Sequence, residues 1–150
     1  MDKQIRHFNI RVYGILRNES NEILLSDEYV LDRHMTKFPG GGLKFGEGPE
    51  DCIRREAVEE FGQEIDIVSH FYTTGFFQPA LFYEDHLLIS IYYTISLKKP
   101  PEFKISRKPF DFKGIINGSQ SFRWENIHKI KTEDLSFPVD RFVLNMLKKK

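Results

Sequence analysis

The chain has 150 residues, suiting one domain spanning 1–150, since a chain of this size buries its core without splitting. Lys plus Arg and Asp plus Glu are both 22, so the formal net charge is zero and there is no basic field for wrapping a nucleic-acid backbone. A single cysteine, Cys52, excludes an internal disulfide and a sulfur-rich metal site and favours a reducing compartment.

Residues 5–16 mix β-branched, aromatic and polar side chains, break at RNESNE, and resume over 23–31, which predicts strand, turn and strand. The opening stretch lacks the apolar core and small-residue cleavage site of a secretory signal. No apolar run approaches the roughly 20 residues that span a bilayer, so a cytoplasmic protein without membrane partners is expected. Residues 33–38 lead into PGGG, where Pro39 and three glycines demand a constrained loop. Pro49 suits the first turn of a helix, Glu50 and Asp51 suit its positive end, and Gly62 supplies a C-cap, which predicts a helix over 50–61. Residues 65–77 and 87–97 read as longer strands joined by QPALFYED. Residues 104–119 are irregular, and a surface connection competes there with a loop that folds over a ligand. A short strand at 122–124 and a helix over 140–147, with Phe142, Val143, Met146 and Leu147 on its apolar face, complete the order. Lys148 to Lys150 are expected to be a solvated tail. The pattern is α/β, a mixed sheet with helices able to cover both faces.

The informative stretch is GGLKFGEGPEDCIRREAVEEFGQ, Gly41 to Gln63. At 100° per residue, Glu56, Glu59 and Glu60 fall at relative angles of about 0°, 300° and 40°, on one helix face. Ile53, Ala57, Val58 and Phe61 form a mainly opposite apolar face. Three neighbouring carboxylates repel one another unless they are solvated, protonated, paired with cations or bound to metal, and Mg²⁺ is a hard cation suited to such oxygens. Arg55 lies within reach of Glu59 at i,i+4 and of Glu47 across the preceding loop. Gly40, Gly41 and Gly42 permit positive φ and close backbone approach, so a loop carbonyl can join the carboxylates and N–H groups can receive phosphate oxygens. A solvated acidic face remains the plain alternative. Cys52 is read as structural filling, since no paired base is evident.

These residues resemble the Nudix hydrolase signature, GX5EX7REUXEEXGU, in which U is a bulky aliphatic. Gly41 and Glu47 match its opening, Arg55 and Glu56 the RE pair, Glu59 and Glu60 the EE pair, and Gly62 the last glycine. Ala57 is a small occupant of the first U position and Gln63 departs from the second. The resemblance implies a Nudix-type α/β/α sandwich with a central mixed sheet, and Mg²⁺-dependent cleavage of a nucleoside diphosphate linked to a group X, with Mn²⁺ as a substitute ion. It carries the catalytic and metal roles to Glu56, Glu59 and Glu60, with the Gly41 carbonyl as a further ligand and Glu47, Arg55 and Gly62 as braces. In that mechanism water attacks one phosphorus, and the general base lies at Glu56 or in a loop, with Glu84, Asp85, His86 and Glu125 as candidates. Certain triphosphate-cleaving relatives carry a glutamate before a late tryptophan; here Arg123 precedes Trp124, so Arg123 is expected to contact phosphate, a surface strand pairing being the alternative. Pro79 is placed like a proline of ADP-ribose pyrophosphatases, and Phe77 and Tyr83, beside Phe76 and Phe82, are placed to stack a base. ADP-ribose and nucleotide sugars are therefore expected slightly ahead of nucleoside triphosphates. A non-catalytic ligand-sensing module of the same fold is the other reading. A small nucleotide is the expected partner, and a homodimer is compatible with the family.

Overall fold

The computed structural model describes residues 4–150. Its elements are β1 (His7–Leu16), β2 (Glu22–Val30), β3 (Arg33–Lys37), β4 (Gly40–Gly42), α1 (Pro49–Phe61), β5 (Ile65–Thr73), β6 (His86–Leu97), β7 (Ile105–Ser106), β8 (Ser119–Asn126), a 3-10 turn at Thr132–Asp134 and α2 (Pro138–Lys148). The α/β architecture expected from the sequence is present. The strands form two four-stranded sheets, ordered β4-β1-β6-β5 and β3-β2-β8-β7. Both are mixed, because β1 runs parallel to β6 and β7 parallel to β8, whereas the other pairs are antiparallel.

The alternation along β1 and β2 explains the layering. Val12 and Leu16 of β1, with Leu24 of β2, pack against Cys52, Ile53, Ala57 and Phe61 of α1. Tyr13 and Ile15, with Ile23 and Leu25, point the other way and pack against Val139, Val143, Leu144 and Leu147 of α2. Strands covered on both faces carry apolar residues on both sides, as these do over Val12–Leu16, apart from Gly14, and Ile23–Leu25. Gly14 permits close packing on the α1 side: a Cβ there would lie 2.5 Å from Ile95 Cδ1 and 3.4 Å from Ile53 Cδ1.

Several local expectations shift. The PGGG stretch, expected as a constrained loop, is held as a strand, since Gly40–Gly42 pair with Arg11, Val12 and Tyr13 as β4. Val58, expected on the apolar face of α1, is exposed, and Cys52 takes its place in the core because loop and helix close over it. Phe142 is likewise exposed, against the rings of Tyr72 and Phe76, and α2 buries Val139 and Leu144 instead because it begins at Pro138. Residues 74–77 lie beyond the end of β5, and β8 is longer than its predicted core. The basic end is held: Lys148 Nζ donates to the Ile130 carbonyl, and Lys150 Nζ lies 4.6 Å from the Phe71 ring centroid. Among the described residues, no helix is long and apolar enough to cross a membrane.

Candidate active site

Helix α1 begins with Pro49 at its first turn, Glu50 and Asp51 near its positive end, and the Asp51 carboxylate accepting the Gly48 N–H at 3.1 Å. It ends where Gly62 turns left-handed, φ +67°, and donates its N–H to the Val58 carbonyl. Between these caps, Glu56 faces Gly41 of β4, Glu60 meets Gln120 of β8, and Glu59 stands exposed beside Arg55.

Arg55 organises the near end. Its Nε and Nη2 donate to both carboxylate oxygens of Glu47, at 3.0 and 2.7 Å, and Nη2 also donates to the Gly42 carbonyl at 3.0 Å. Nη1 donates to Glu56 at 2.9 Å and to Glu59 at 3.1 Å. Loop, helix and acidic face are thus tied by one guanidinium, whose fork geometry a lysine lacks. Glu47 also accepts the Lys44 N–H, and the Arg55 bonds with this one hold its carboxyl down to about 2. Gly41 faces Glu56 so closely that a Cβ would stand 2.2 Å from Oε1. Its requirement is space, whereas Gly40 is the member of the triplet with a left-handed φ, +149°.

Glu60 is the electrostatic outlier. Burial pushes its carboxyl up to about 7; Lys37 and the bond from Gln120 pull it down, and Glu28 and Glu56 push it up. Gln120 Nε2 donates to Oε1 at 3.2 Å, and the buried Oε2 has no hydrogen-bond partner. Gln120 also donates to Ser26 Oγ, which in turn donates to Glu28 at 2.8 Å. Glu28 is paired with the buried Lys37 at 2.9 Å. This inner layer is invisible to the signature. The available sign was a lysine in β3 directly before Phe38 and Pro39, where alternation turns it inward.

The donor set suits a hard cation: Glu56, Glu59 and Glu60 carboxylates and the Gly41 carbonyl are all oxygens, and Glu60 Oε2 is buried without a partner. Among the described residues no three His, Cys, Asp or Glu side chains converge on one metal position as they stand, and Arg55 bonds both Glu56 and Glu59.

Glu28 and Lys37 also form a wall of a cavity of about 190 Å³ with Arg11, Tyr13, Phe82 and Tyr83. Glu60 also borders an open groove of about 500 Å³ whose lining includes Lys104, Phe112, Lys113 and Gly114. The 104–119 connection is pinned to the second sheet: the Phe110 N–H donates to Asp27, and the Phe110 ring meets His34 edge-on.

The model of the NUDIX domain matches residues 7–143. The chain belongs to the NUDIX family. An 8-oxo-dGTP diphosphatase of Escherichia coli (strain K12) is 46% identical over 52 residues, which are 33% of this chain and 40% of that relative's length. A NUDIX hydrolase from Nitrosomonas europaea superposes with a TM-score of 0.70 at 16% identity, over 95% of this chain and 89% of the other. A MutT protein from Methanosarcina mazei Go1 superposes with 0.66 at 16% identity, over 98% and 97%. At such identities the structural likeness shows the fold.

In this NUDIX domain the outlying candidates separate. Tyr83 lines the 190 Å³ cavity at its rim, with Phe82 beside it, whereas Phe77 is exposed and lines none of it. Arg123 differs from its expected role. It is buried, its Nε donates to Asp27 at 2.7 Å and its Nη1 to Glu125, so the guanidinium is held inside the sheet by two carboxylates instead of being presented to a phosphate. That pairing also engages Glu125, and Asp85 is bonded to His86 at 2.8 Å and near His7 at 3.6 Å. Pro79 bridges to Leu87, shaping the connection that carries Phe82 and Tyr83. Cys52 is buried, its Sγ 3.5 Å from the Gly42 carbonyl, and burial pushes its thiol up to about 12, which suits packing and not nucleophilic attack.

Proposed function

We propose that this NUDIX domain is a metal-dependent pyrophosphohydrolase that cleaves the diphosphate linkage of a nucleotide, with nucleoside triphosphates ahead of ADP-ribose and nucleotide sugars as its substrate class. The observation that carries the reading is the juxtaposition of Glu56, against Gly41, with the buried and unpartnered Oε2 of Glu60 on one helix face. The order of substrates reverses the one expected from Pro79 and the aromatics, because the E. coli relative acts on a nucleoside triphosphate by its name and shares 46% identity over the matched stretch.

In this reading Glu56, Glu59, Glu60 and the Gly41 carbonyl hold Mg²⁺ or Mn²⁺, and Glu47, Arg55 and Gly62 keep the helix and loop in register. Such a cation supplies charge neutralisation on the bridging phosphates and polarises the phosphorus under attack. Arg11 and the aromatic rim of Tyr83 and Phe82 bind and orient the nucleotide in the cavity. Glu56 positions the attacking water and accepts its proton; the water oxygen bonds to phosphorus, the bridging P–O bond breaks, and the leaving pyrophosphate or nucleotide oxygen takes the bond's electron pair. A cytoplasmic location and a homodimer belong to the proposal on the grounds of the lone buried cysteine and the family resemblance.

The test is product formation by purified protein with Mg²⁺ across nucleoside triphosphates, ADP-ribose, nucleotide sugars and dinucleoside polyphosphates, beside a Glu60→Gln control. The expected result is cleavage of a triphosphate to monophosphate and pyrophosphate, lost in the control. Preferential cleavage of ADP-ribose or a sugar nucleotide would overturn the substrate order. Absence of turnover with all of them in a folded, metal-binding protein would favour the ligand-sensing reading.

A further inference from the structure

The signature does not include Lys37, yet its ammonium lies in the layer behind Glu60, paired with Glu28. It is 4% exposed. Its partners are all oxygens: Glu28 Oε2 at 2.9 Å, the Phe38 carbonyl at 3.2 Å and the Gly40 carbonyl at 3.4 Å. One carboxylate and two carbonyls from the loop entering β4 make the kind of shell that a hard divalent cation takes. The shell is continuous with the helix carboxylates, since Gln120 Nε2 donates to Glu60 Oε1 at 3.2 Å and lies 3.4 Å from Glu28 Oε2. An isolated ammonium this deep would lose its charge or move to solvent. Here Glu28, Glu60 and the ring of Tyr13, 5.5 Å away, keep it charged.

We infer that Lys37 is a resident cation of the acidic site, filling with its ammonium a position between β2 and the loop entering β4 that a further divalent ion would otherwise occupy. The inference rests on the metal-binding reading of the site, and concerns how many ions that site takes and how tightly. Lys37 neutralises part of the carboxylate charge permanently, so fewer ions are needed to assemble the site and each is held less tightly. As a positioning residue it also joins the acidic face to the 190 Å³ cavity, whose wall it shares with Glu28.

The deciding measurement is Mn²⁺ binding to the intact chain, counted by electron paramagnetic resonance and titrated calorimetrically, without substrate. Lys37→Met removes the charge and nearly keeps the length; Lys37→Gln removes the charge and keeps two N–H donors, and serves if the methionine variant fails to fold. The expected result is one additional Mn²⁺, or about ten-fold tighter binding, in the neutral variant, the scale of removing one charge at a few ångströms in a partly screened site. Lys37→Arg should bind Mn²⁺ as the wild type does. A folded neutral variant with the wild-type count and affinity overturns the inference and leaves the proposed function standing. Mn²⁺ bound by the neutral variant and not by the wild type supports the inference; no Mn²⁺ bound by either sinks the metal reading and the inference with it.

Discussion

Gly41 and Glu56 are so closely opposed that a Cβ on residue 41 would stand 2.2 Å from Glu56 Oε1 and 2.4 Å from its Cδ. The atoms in the way belong to the end of a flexible side chain, so Gly41→Ala should leave the fold intact and swing the Glu56 carboxylate aside. We expect thermal stability within about 1 kcal/mol of wild type and turnover lower by about 100-fold, the scale for misplacing a catalytic group by an ångström. A melting curve together with initial rates checks this; wild-type turnover in the alanine variant would remove Gly41 from the site.

Arg55 satisfies Glu47, Glu56, Glu59 and the Gly42 carbonyl from one planar group. Lysine keeps the charge and cannot span those partners. Arg55→Lys should lower the melting temperature and cut turnover roughly 10- to 100-fold, the range for losing a group that orients metal ligands. Full activity in the lysine variant would mean that the brace is dispensable.

Glu60 and Asp140 both hold protons more tightly folded than unfolded, with carboxyls pushed by burial up to about 7 and about 6. Between pH 4.5 and 7 the folded state binds more protons, so stability of the metal-free protein should fall as pH rises through that window. Mg²⁺ bound at Glu60, as proposed, would compete with the Glu60 proton, so its stabilising effect should grow from pH 5.5 to pH 8. Thermal melts across pH, with and without Mg²⁺, read both trends, and Glu60→Gln should flatten the metal-dependent one. An Mg²⁺ effect that is equal at both pH values would contradict the assignment.

Cys52 is buried with its thiol pushed up to about 12. It should resist alkylation in the native protein and react once the chain is unfolded. Cys52→Ala should keep its turnover while losing about 1 kcal/mol of stability from packing. Loss of turnover without loss of stability would assign the thiol a chemical role.

Tyr83 lines the cavity and Phe77 does not. Tyr83→Ala should raise KM about ten-fold at nearly unchanged kcat, the signature of lost uniform binding, and Phe77→Ala should leave both constants alone. Steady-state kinetics on the preferred nucleotide separates them, and equal effects would remove the cavity from substrate binding.

The helix was legible because its information is local. Pro49, the acidic first turn and Gly62 mark its ends, and the spacing of Glu56, Glu59 and Glu60 sets their common face whatever the rest of the chain does. Strand alternation likewise announced β1, β2 and β6, whose two faces meet different helices. Sequence spacing by itself therefore determined the acidic face, the Arg55 brace and the α/β class. Only the tertiary structure decided what meets that face. Arg123 is buried because Asp27, 96 positions earlier, lies beside it across β2 and β8. Lys37, Glu28 and Gln120 come from three strands to form the layer behind Glu60. Such encounters depend on strand order and register between distant segments, and no local period encodes them.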